Sequence, residues 1–391
     1  MTKPKNKLYK IPKGIWALGF VSMFMDLSSE ITHAVLPMFM VGALGASMTT
    51  VGFIEGISEA VAMIVRIFSG TLSDYLGKRK FLTVIGYGLG ALTKPLFPMA
   101  DSLGLVTFAR FTDRIGKGIR GAPRDALVGD LAPPEIRGAC FGLRQTLDTI
   151  GALLAPVVAI LLMILFANDM RAVMWVAVVP AIICIVVLVF GVKEPERKTQ
   201  EKLNKFSFDK AGLKKFSRPF WVLVISATLI TMARFSDAFL ILKAQDVGMQ
   251  LAYVPIVLVV MNFTYVLSSY PVGALSDKIS REKLLVIGIV ILVMANMVLA
   301  LASNFIWVMV GTALWGLHMG FTQGLLATMV TDKAPLELRG TAFGLFNLAC
   351  GVAMLIASVA AGMLWDNYGA DHTFFAGGII ALLAIPLLFK R

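Results

Sequence analysis

Two pairs of acidic residues lie inside long apolar stretches of this chain. Asp26 and Glu30 are four positions apart in the first stretch, and Glu55 and Glu59 repeat that spacing in the next. Residues four apart share one face of a helix. Carboxylates crowded together away from water repel each other, so one of the pair can exchange a proton near neutral pH. All four are therefore candidate proton-coupling residues, with neutralisation of nearby arginines as the alternative.

A later stretch, ARFTDRIGKGIRGAPRDAL at 109–127, carries a cationic face. At helical spacing its charged residues from Arg110 to Arg124 fall within an arc of roughly 120°. Charges at membrane depth usually mark an ion or substrate path, and arginine suits carboxylate or phosphate groups. Lys117 to Arg124 are expected near the basic end of the helix, as anchors or as gate contacts. The candidate substrate-binding residues are Arg66, Arg110, Arg114, Arg144, Asp148, Arg234, Asp237, Asn262, Tyr265 and Gln323.

Three further expectations concern side chains near these sites. Arg234 and Asp237 are spaced to pair with each other, and His33 is expected to be a hydrogen-bonded packing residue. Trp315 and His318 are expected among the polar groups that face the cavity. The second half of the chain has fewer intramembrane charges, so we expect the first half to carry the ion coupling.

These residues need a membrane scaffold to position them. The chain has 391 residues, of which 58% are hydrophobic and 15% charged, and its mean hydropathy is +0.80. This composition indicates an integral membrane protein. The net charge of +12 does not indicate nucleic-acid binding, because the basic residues gather between apolar runs. Twelve spans are predicted, at 15–41, 48–74, 81–100, 103–124, 139–166, 172–192, 219–243, 251–275, 284–302, 305–330, 341–365 and 372–389.

Lysine and arginine are concentrated at one side of the predicted spans. The N-terminus, the turns after spans two and eight, the central linker and the C-terminus are basic, whereas the opposite loops GALGAS, ADSLG, ASNF and DNYGADHT contain neither residue. Short basic loops stay in the cytoplasm. Both termini are therefore predicted to be cytoplasmic.

Two sequence segments recur about half a chain apart. GTLSDYLGKRK at Gly70–Lys80 returns as GALSDKISREK at Gly273–Lys283, and LAPPEIRGACFGL returns as KAPLELRGTAFGL with a similar offset. This period indicates a duplicated membrane unit. We predict an N-terminal six-helix bundle over 1–192, a cytoplasmic linker over 193–218 and a C-terminal six-helix bundle over 219–391.

The repeated G-x-L-S-D segment with its basic tail resembles motif A of the major facilitator superfamily of transporters. Arg110 and Gly116 resemble motif B, and Gly151 and Pro156 resemble part of the antiporter motif C, although Ala155 replaces a glycine. The resemblance implies an all-α fold of two pseudo-symmetric six-helix bundles. It also implies gating by the cytoplasmic hairpins, in which an aspartate accepts hydrogen bonds from helix amides or from an arginine of the other half. The implied gating residues are Gly70, Asp74, Arg79, Arg124, Gly273, Asp277 and Arg281.

The function expected from this resemblance is proton-coupled alternating access by a secondary transporter. The solute is a small amphipathic or anionic molecule, such as a metabolite, siderophore or drug, and either antiport or symport is possible. The alternatives are an uncoupled facilitator, a proton symporter importing an organic anion, and a non-transporting receptor. We expect a monomer in the bacterial inner membrane that uses the proton gradient and needs no cofactor, metal or nucleic acid. No sequence motif of an enzyme is present.

Overall fold

The computed structural model describes residues 10–194, 216–276, 278–335 and 338–389. This part of the chain is helical and contains no strand. Short 3₁₀ turns at Lys94–Leu96, Pro134–Ile136 and Leu251–Tyr253 link some of the helices. The α-helices are α1 (Lys13–Gly42), α2 (Met48–Leu76), α3 (Arg79–Thr93), α4 (Leu103–Leu131), α5 (Arg137–Leu165), α6 (Met170–Val176), α7 (Val178–Gly191), α8 (Arg218–Ala233), α9 (Ala238–Asp246), α10 (Ile256–Leu275), α11 (Arg281–Leu301), α12 (Phe305–Lys333), α13 (Arg339–Tyr368) and α14 (Ala370–Phe389).

Two of the predicted spans consist of two helices each. Ala177 separates α6 from α7, and residues 234–237 separate α8 from α9, where the sequence predicted one unbroken helix over 219–243. With each of these pairs counted as one crossing, the described helices form six crossings before the linker and six after it. The predicted all-helical membrane fold is confirmed. Of the linker, residues 195–215 lie outside the described part.

Among the described residues, eight segments are long and apolar enough to cross a membrane by length and composition. They begin at Pro134 and include every crossing from α5 onward. The first four helices do not meet that criterion, and they carry most of the buried charges of the first half. The charge that lowers their hydropathy is therefore concentrated where the candidate site lies.

Matched helices of the two halves confirm the internal repeat. Both ends of α12 lie 202 positions after the corresponding ends of α4, and the first residues of α11 and α13 lie 202 positions after those of α3 and α5. Residues 202 positions apart therefore occupy equivalent places in the two halves. The matched ends carry the basic hairpins, and we call that side of the bundle the basic end.

Glycines set how closely α4 packs against its neighbours. A Cβ on Gly116 would collide with the Gly86 carbonyl of α3, and a Cβ on Gly118 would collide with Val65 of α2. Small residues at such crossings allow membrane helices to approach closely. Gly316 of α12 similarly abuts the Met261 carbonyl of α10. Each half thus holds its fourth crossing tightly, and this fixes the orientation of the charged face of α4.

The halves meet along α2 and α13, which pack extensively. Gly52 and Gly56 of α2 abut the backbone of Ser358 and Leu355, so the two helices touch without intervening side chains. Farther from the basic end, Asp366 accepts hydrogen bonds from the backbone amides of Met48 and Thr49, at 2.9 and 2.8 Å. The Thr49 hydroxyl donates to the same carboxylate at 2.6 Å. The halves are therefore joined at the end opposite the basic end.

Candidate functional site

A cavity of about 410 Å³ lies inside the first half, enclosed by α1, α2, α4 and α5. Its volume is in the range typical of small-molecule sites. Its lining is dominated by charged side chains, which the helices direct inward at intervals of one or two turns. The cationic members are Arg66, Lys117, Arg120, Arg124 and Arg144, and the acidic members are Asp26, Glu59, Asp125 and Asp148.

Three arginines on one side of the cavity share two aspartates. Asp125 lies 3.1 Å from Arg124, 3.6 Å from Arg66 and 3.9 Å from Arg144. Asp148 lies 3.1 Å from Arg144 and 3.7 Å from Arg124. The cluster joins α2, α4 and α5, and its three guanidinium groups outnumber its two carboxylates. It therefore keeps one positive charge in excess.

Arg120 and Lys117 of α4 are paired more weakly. Arg120 lies over the Tyr87 ring at 4.6 Å, and its nearest carboxylate among the described residues is that of Asp26 at 4.0 Å. Its Nη1 is buried without a hydrogen-bond partner in the described structure. Lys117 is exposed on the cavity wall, with no carboxylate within 4 Å among the described residues. Lys117 is thus the least neutralised cation of the cavity, whereas Arg120 is held by the Tyr87 ring and by Asp26.

Two further charge pairs lie on the other sides of α4. Glu59 of α2 is bound to Arg114 at 3.0 Å. Lys94 is bound to Asp113 at 2.8 Å and donates to the Ser29 hydroxyl at 3.0 Å. Lys94 and Asp113 are almost wholly buried. These charges are matched one to one, as buried ions must be.

A chain of polar contacts links the two halves through His33. Arg110 Nη2 lies 2.6 Å from Glu55 and 2.9 Å from His33 Nδ1, and His33 Nε2 lies 3.1 Å from Asp237 Oδ1. A guanidinium group only donates, so Nδ1 must accept. Nε2 therefore carries the ring proton and donates to Asp237, which assigns a neutral imidazole and its tautomer. His33 is a hydrogen-bonded residue as predicted, but it also bridges the halves.

The predicted pair between Arg234 and Asp237 is wrong. Both residues lie at the break between α8 and α9, where the backbone is not helical and the i, i+3 spacing no longer brings side chains together. Asp237 binds His33 of the other half instead, and Arg234 is half-buried with no ion pair among the described residues. A helix break was not predicted, because the sequence there contains neither glycine nor proline.

The other predicted binding residues of the second half contact one another only in part. The Tyr265 hydroxyl donates to the side-chain amide oxygen of Gln323 at 3.1 Å, and Asn262 is half-buried. The expectation that Trp315 and His318 face a cavity is wrong, since both are buried in the second half. Trp315 packs on Phe235 and His318 bonds the Gly288 carbonyl. The interior around Trp315 is therefore aromatic.

The predicted gating arginines pair within their own halves in this structure. Arg79 lies 2.5 Å from Asp130, and Arg281 contacts Asp332 in the same way 202 positions later. Arg79 also donates to the Ala126 carbonyl at 3.0 Å. Each pair fastens the start of one helix to the end of the next, and Arg124 belongs to the cavity cluster. Among the contacts that the structure describes, none of these arginines reaches the other half.

The remaining gating predictions have different outcomes. Gly70 approaches Ala122 of α4, whereas a Cβ on Gly273 would meet nothing within 4 Å. Among the described residues, a close helix contact is therefore present at Gly70 and absent at Gly273. Asp277 and the side chain of Asp74 lie outside the described residues.

Of the proton-coupling candidates, Asp26 and Glu59 line the cavity and Glu55 lies buried in the His33 chain. Glu30 lies one helical turn from Asp26 and is half-buried outside the cavity lining. Sequence reasoning missed the bridging role of His33 and the shared contacts of Asp125. The sequence feature that could have identified Asp125 is its position next to Arg124 of the cationic face. Among the described residues, no group of three His, Cys, Asp or Glu side chains is placed to hold a metal ion.

Comparison with known proteins identifies the family. The model of the Major Facilitator Superfamily matches residues 18–358 and 230–391. The chain belongs to the Major Facilitator Superfamily. An uncharacterised MFS-type transporter of Methanocaldococcus jannaschii is 31% identical over 97% of this chain and 95% of its own. A glucose transporter of Staphylococcus epidermidis is 25% identical over 88% of this chain and 85% of its own.

Solved structures share this superfamily fold at low sequence identity. A POT family transporter in complex with 5-aminolevulinic acid has a TM-score of 0.81 at 16% identity, covering 99% of both chains. A bacterial homologue of the human lysosomal transporter Spinster, in an inward-facing unoccupied conformation, has a TM-score of 0.73 at 14% identity over 97% of both chains. The protein is thus a multi-pass membrane transporter of small solutes.

Proposed function

We propose that this transporter moves a small amphipathic or anionic organic solute by proton-coupled alternating access. It acts in the cytoplasmic membrane with both termini in the cytoplasm, and the proton gradient supplies the energy without a cofactor. The observation that carries the proposal is the charged cavity of the first half, which also contains a buried polar chain from Arg110 through His33 to Asp237 of the second half. Positive charges that outnumber the carboxylates of the cavity suit an anionic solute.

The contacts between the halves support alternating access. Hydrogen bonds between the halves, as far as the structure describes them, lie at His33 and at Met48 and Thr49, toward the end opposite the basic end. The cavity is lined by the parts of α1, α2, α4 and α5 nearer the basic end. Closure at one end with a cavity toward the other is the arrangement of an inward-facing state in a rocking two-bundle transporter.

Asp26 is the best candidate for the coupling proton. It lines the cavity, and the nearest cation among the described residues is 4.0 Å away, whereas Glu55 and Glu59 have arginine partners at 2.6 and 3.0 Å. A carboxylate loses the attraction of its partner when it binds a proton. Of these three carboxylates, Asp26 therefore loses the weakest ion-pair attraction when it binds a proton. Protonation of Asp26 would release Arg120, which changes the charge that the solute meets.

The His33 chain is the route by which charge changes reach the second half. Any event that moves Arg110 also disturbs His33 and its bond to Asp237. A shift of the conformational population from 1:99 to 99:1 takes about 5.5 kcal/mol of differential interaction. A change of one pH unit supplies about 1.36 kcal/mol per proton, so several of these contacts must change together.

An uncoupled facilitator is the second candidate. The tight pairing of Glu55 and Glu59 with arginines favours it, because paired carboxylates need not titrate. In that case, neutralising Asp26, Glu30, Glu55 or Glu59 one at a time would change neither the rate of transport nor its dependence on pH.

The test is proton movement in liposomes that contain the purified protein and a pH-sensitive dye. Pooled metabolites, siderophores and lipophilic cations are added from outside, and Asp26→Asn is compared with Asp371→Asn. Asp371 is a matched control because its carboxylate is bound to Lys243 within the second half. We expect solute-dependent proton movement that is lost in Asp26→Asn only. Solute uptake with no proton movement in the unmodified protein would contradict the coupling, and no uptake of any solute would contradict transport.

A further inference from the structure

The charge balance of the cavity identifies the class of solute more closely. Five cations and four carboxylates line the cavity, but the Glu59 carboxylate is bound to Arg114, which lies outside the lining. Three carboxylates are left to neutralise five cations. The surplus is two positive charges on the wall of one cavity, where they attract an anionic ligand. On the basis of the proposed function, we infer that the solute is a small organic dianion, bound by Lys117 and Arg66.

The surplus positive charge is assigned to Lys117 and Arg66 because carboxylates or an aromatic ring engage the other three cations of the cavity. Arg124 and Arg144 lie 3.1 Å from Asp125 and Asp148, respectively. Arg120 stacks on Tyr87 and faces Asp26. Arg66 makes only a 3.6 Å contact to Asp125, and 57% of its side chain is exposed.

Lys117 and Arg66 belong to two neighbouring helices, and both side chains line the cavity. Lys117 projects from α4, and Arg66 from α2 beside Gly121 of α4. Gly121 leaves room for the Arg66 side chain, since a Cβ there would come within 3.4 Å of Arg66 Nε. A ligand with two anionic oxygens, or one doubly charged group, can contact both at once. The ammonium serves as a point charge and the guanidinium as a fork for two oxygens.

Among the described residues, the other titratable groups around the cavity do not remove this surplus. Glu30 is one turn from Asp26 and does not line the cavity, and Asp113 is bound to Lys94. Glu55 is bound to Arg110. Proton binding by Asp26 would add one more positive charge to the lining. The site therefore binds an anion more tightly when Asp26 carries the coupling proton. Binding of the proton and binding of the anion thus favour each other.

Two chemical classes share the required charge, a dicarboxylate and a phosphate monoester. Binding to the full-length protein in detergent is measured by thermal shift and by isothermal titration. The dicarboxylate arm compares succinate, succinamate and succinamide, which have charges of −2, −1 and 0 at similar size. The phosphate arm compares glycerol 3-phosphate with its methyl diester and with glycerol. The arm in which the dianion binds more tightly than its singly charged and neutral analogues identifies the chemical class of the solute.

We expect the dianion to bind about tenfold or more tightly than its singly charged analogue in at least one arm. Lys117→Gln and Arg66→Gln should each remove most of that preference. Lys117→Arg, which keeps the positive charge, should retain it. Lys283→Gln is the matched control, because Lys283 is an exposed lysine at the basic end of the other half. The inference is overturned if neutral analogues bind as tightly as dianions, if no dianion binds at millimolar concentration, or if Lys117→Gln keeps the preference.

These outcomes are separate from those of the proposed function. Proton-coupled uptake of a neutral or cationic solute would support the proposed function and overturn the dianion site. Charge-dependent binding of a dianion that is never transported would support the site and overturn the proposed function.

Discussion

The two halves share an architecture but differ in the chemistry of their interiors. At the 202-residue offset, Arg110 and Lys94 of the first half correspond to Thr312 and Asn296 of the second. The first pair binds buried carboxylates, whereas Asn296 bonds a backbone carbonyl within its own helix. What the halves share is the packing of helix on helix and the ion pairs at the basic end. The fold therefore depends on the shared features, and the interior face was free to diverge.

Aromatic packing takes the place of charge in the second half. Phe235 contacts Trp315 at 5.7 Å and Phe374 at 5.4 Å between ring centroids. Trp315 stands at the position that Asp113 has in the first half. A half with fewer buried charges can act as a rigid body against which a charged half responds to protons and solute. This comparison predicts that equivalent substitutions will have unequal effects in the two halves.

The largest difference is expected at Arg110 and its counterpart Thr312. Arg110→Gln leaves the Glu55 carboxylate buried and unpaired, which should lower the free energy of unfolding by about 3–5 kcal/mol. Thr312→Val should change it by less than about 1 kcal/mol, because the Thr312 hydroxyl is buried without a partner among the described residues. The double variant Glu55→Gln, Arg110→Gln should recover part of the loss. Unfolding in detergent followed by tryptophan fluorescence measures all three, and equal losses at Arg110 and Thr312 would contradict the asymmetry.

A smaller effect is expected where the halves meet at Asp366. Asp366→Asn removes a charge-assisted acceptor of three hydrogen bonds from the start of α2, worth about 1–3 kcal/mol. The structure with that end open should then gain roughly 5- to 150-fold in population. Spin labels at Met99 and Leu301, matched positions near that end of the two halves, report the separation by pulsed electron resonance. Asp371→Asn is the control within one half, and unchanged distances in Asp366→Asn would rule out this contact as a latch.

The bond between His33 and Asp237 should tolerate loss of charge better than loss of the acceptor. Asp237→Asn still offers an oxygen to His33 Nε2–H, whereas Asp237→Ala removes it at a cost of about 1 kcal/mol. Nitrogen NMR of labelled histidine should show the proton on Nε2 in the unmodified protein and in Asp237→Asn. A proton on Nδ1 would contradict the assigned hydrogen-bond chain.

The smallest effects, and similar ones in both halves, are expected at the ion pairs of the basic end. Asp130→Asn and Asp332→Asn remove partners of Arg79 and Arg281, and both carboxylates are partly exposed. Such pairs are worth about 0–1 kcal/mol and weaken with salt. Unfolding at low and high salt should therefore show small, similar losses. A loss of several kcal/mol at Asp332 alone would break the equivalence of the two pairs.

The sequence predicted the helical repeat well because hydropathy and basic hairpins are local signals. The span boundaries depend on runs of about 20 apolar residues, and the charged faces of α1, α2 and α4 follow from helical spacing. Lys117, Arg120 and Arg124 could thus be assigned to one face before their partners were known. The gating motifs were found by resemblance, and their contacts in this state differ from the expected ones.

Pairing between distant residues could not be predicted from the sequence. Which carboxylate binds which arginine depends on the rotation and depth of helices that are far apart in the chain. His33 and Asp237 are 204 residues apart, and their bond also needs the break before α9, for which no local signal was found. For the same reason the surplus at Lys117 and Arg66 emerged only after the other charges had been matched in space.

The central claim, that the first half couples protons to solute movement, is tested most directly by a pH gradient across liposomes with no membrane potential. The solute is the anion that binds most tightly in the charge series. We predict that a gradient of one pH unit drives up to about a tenfold solute gradient per proton, and that Asp26→Asn still binds the solute but no longer accumulates it. Equal solute concentrations on both sides at steady state in the unmodified protein would contradict the account.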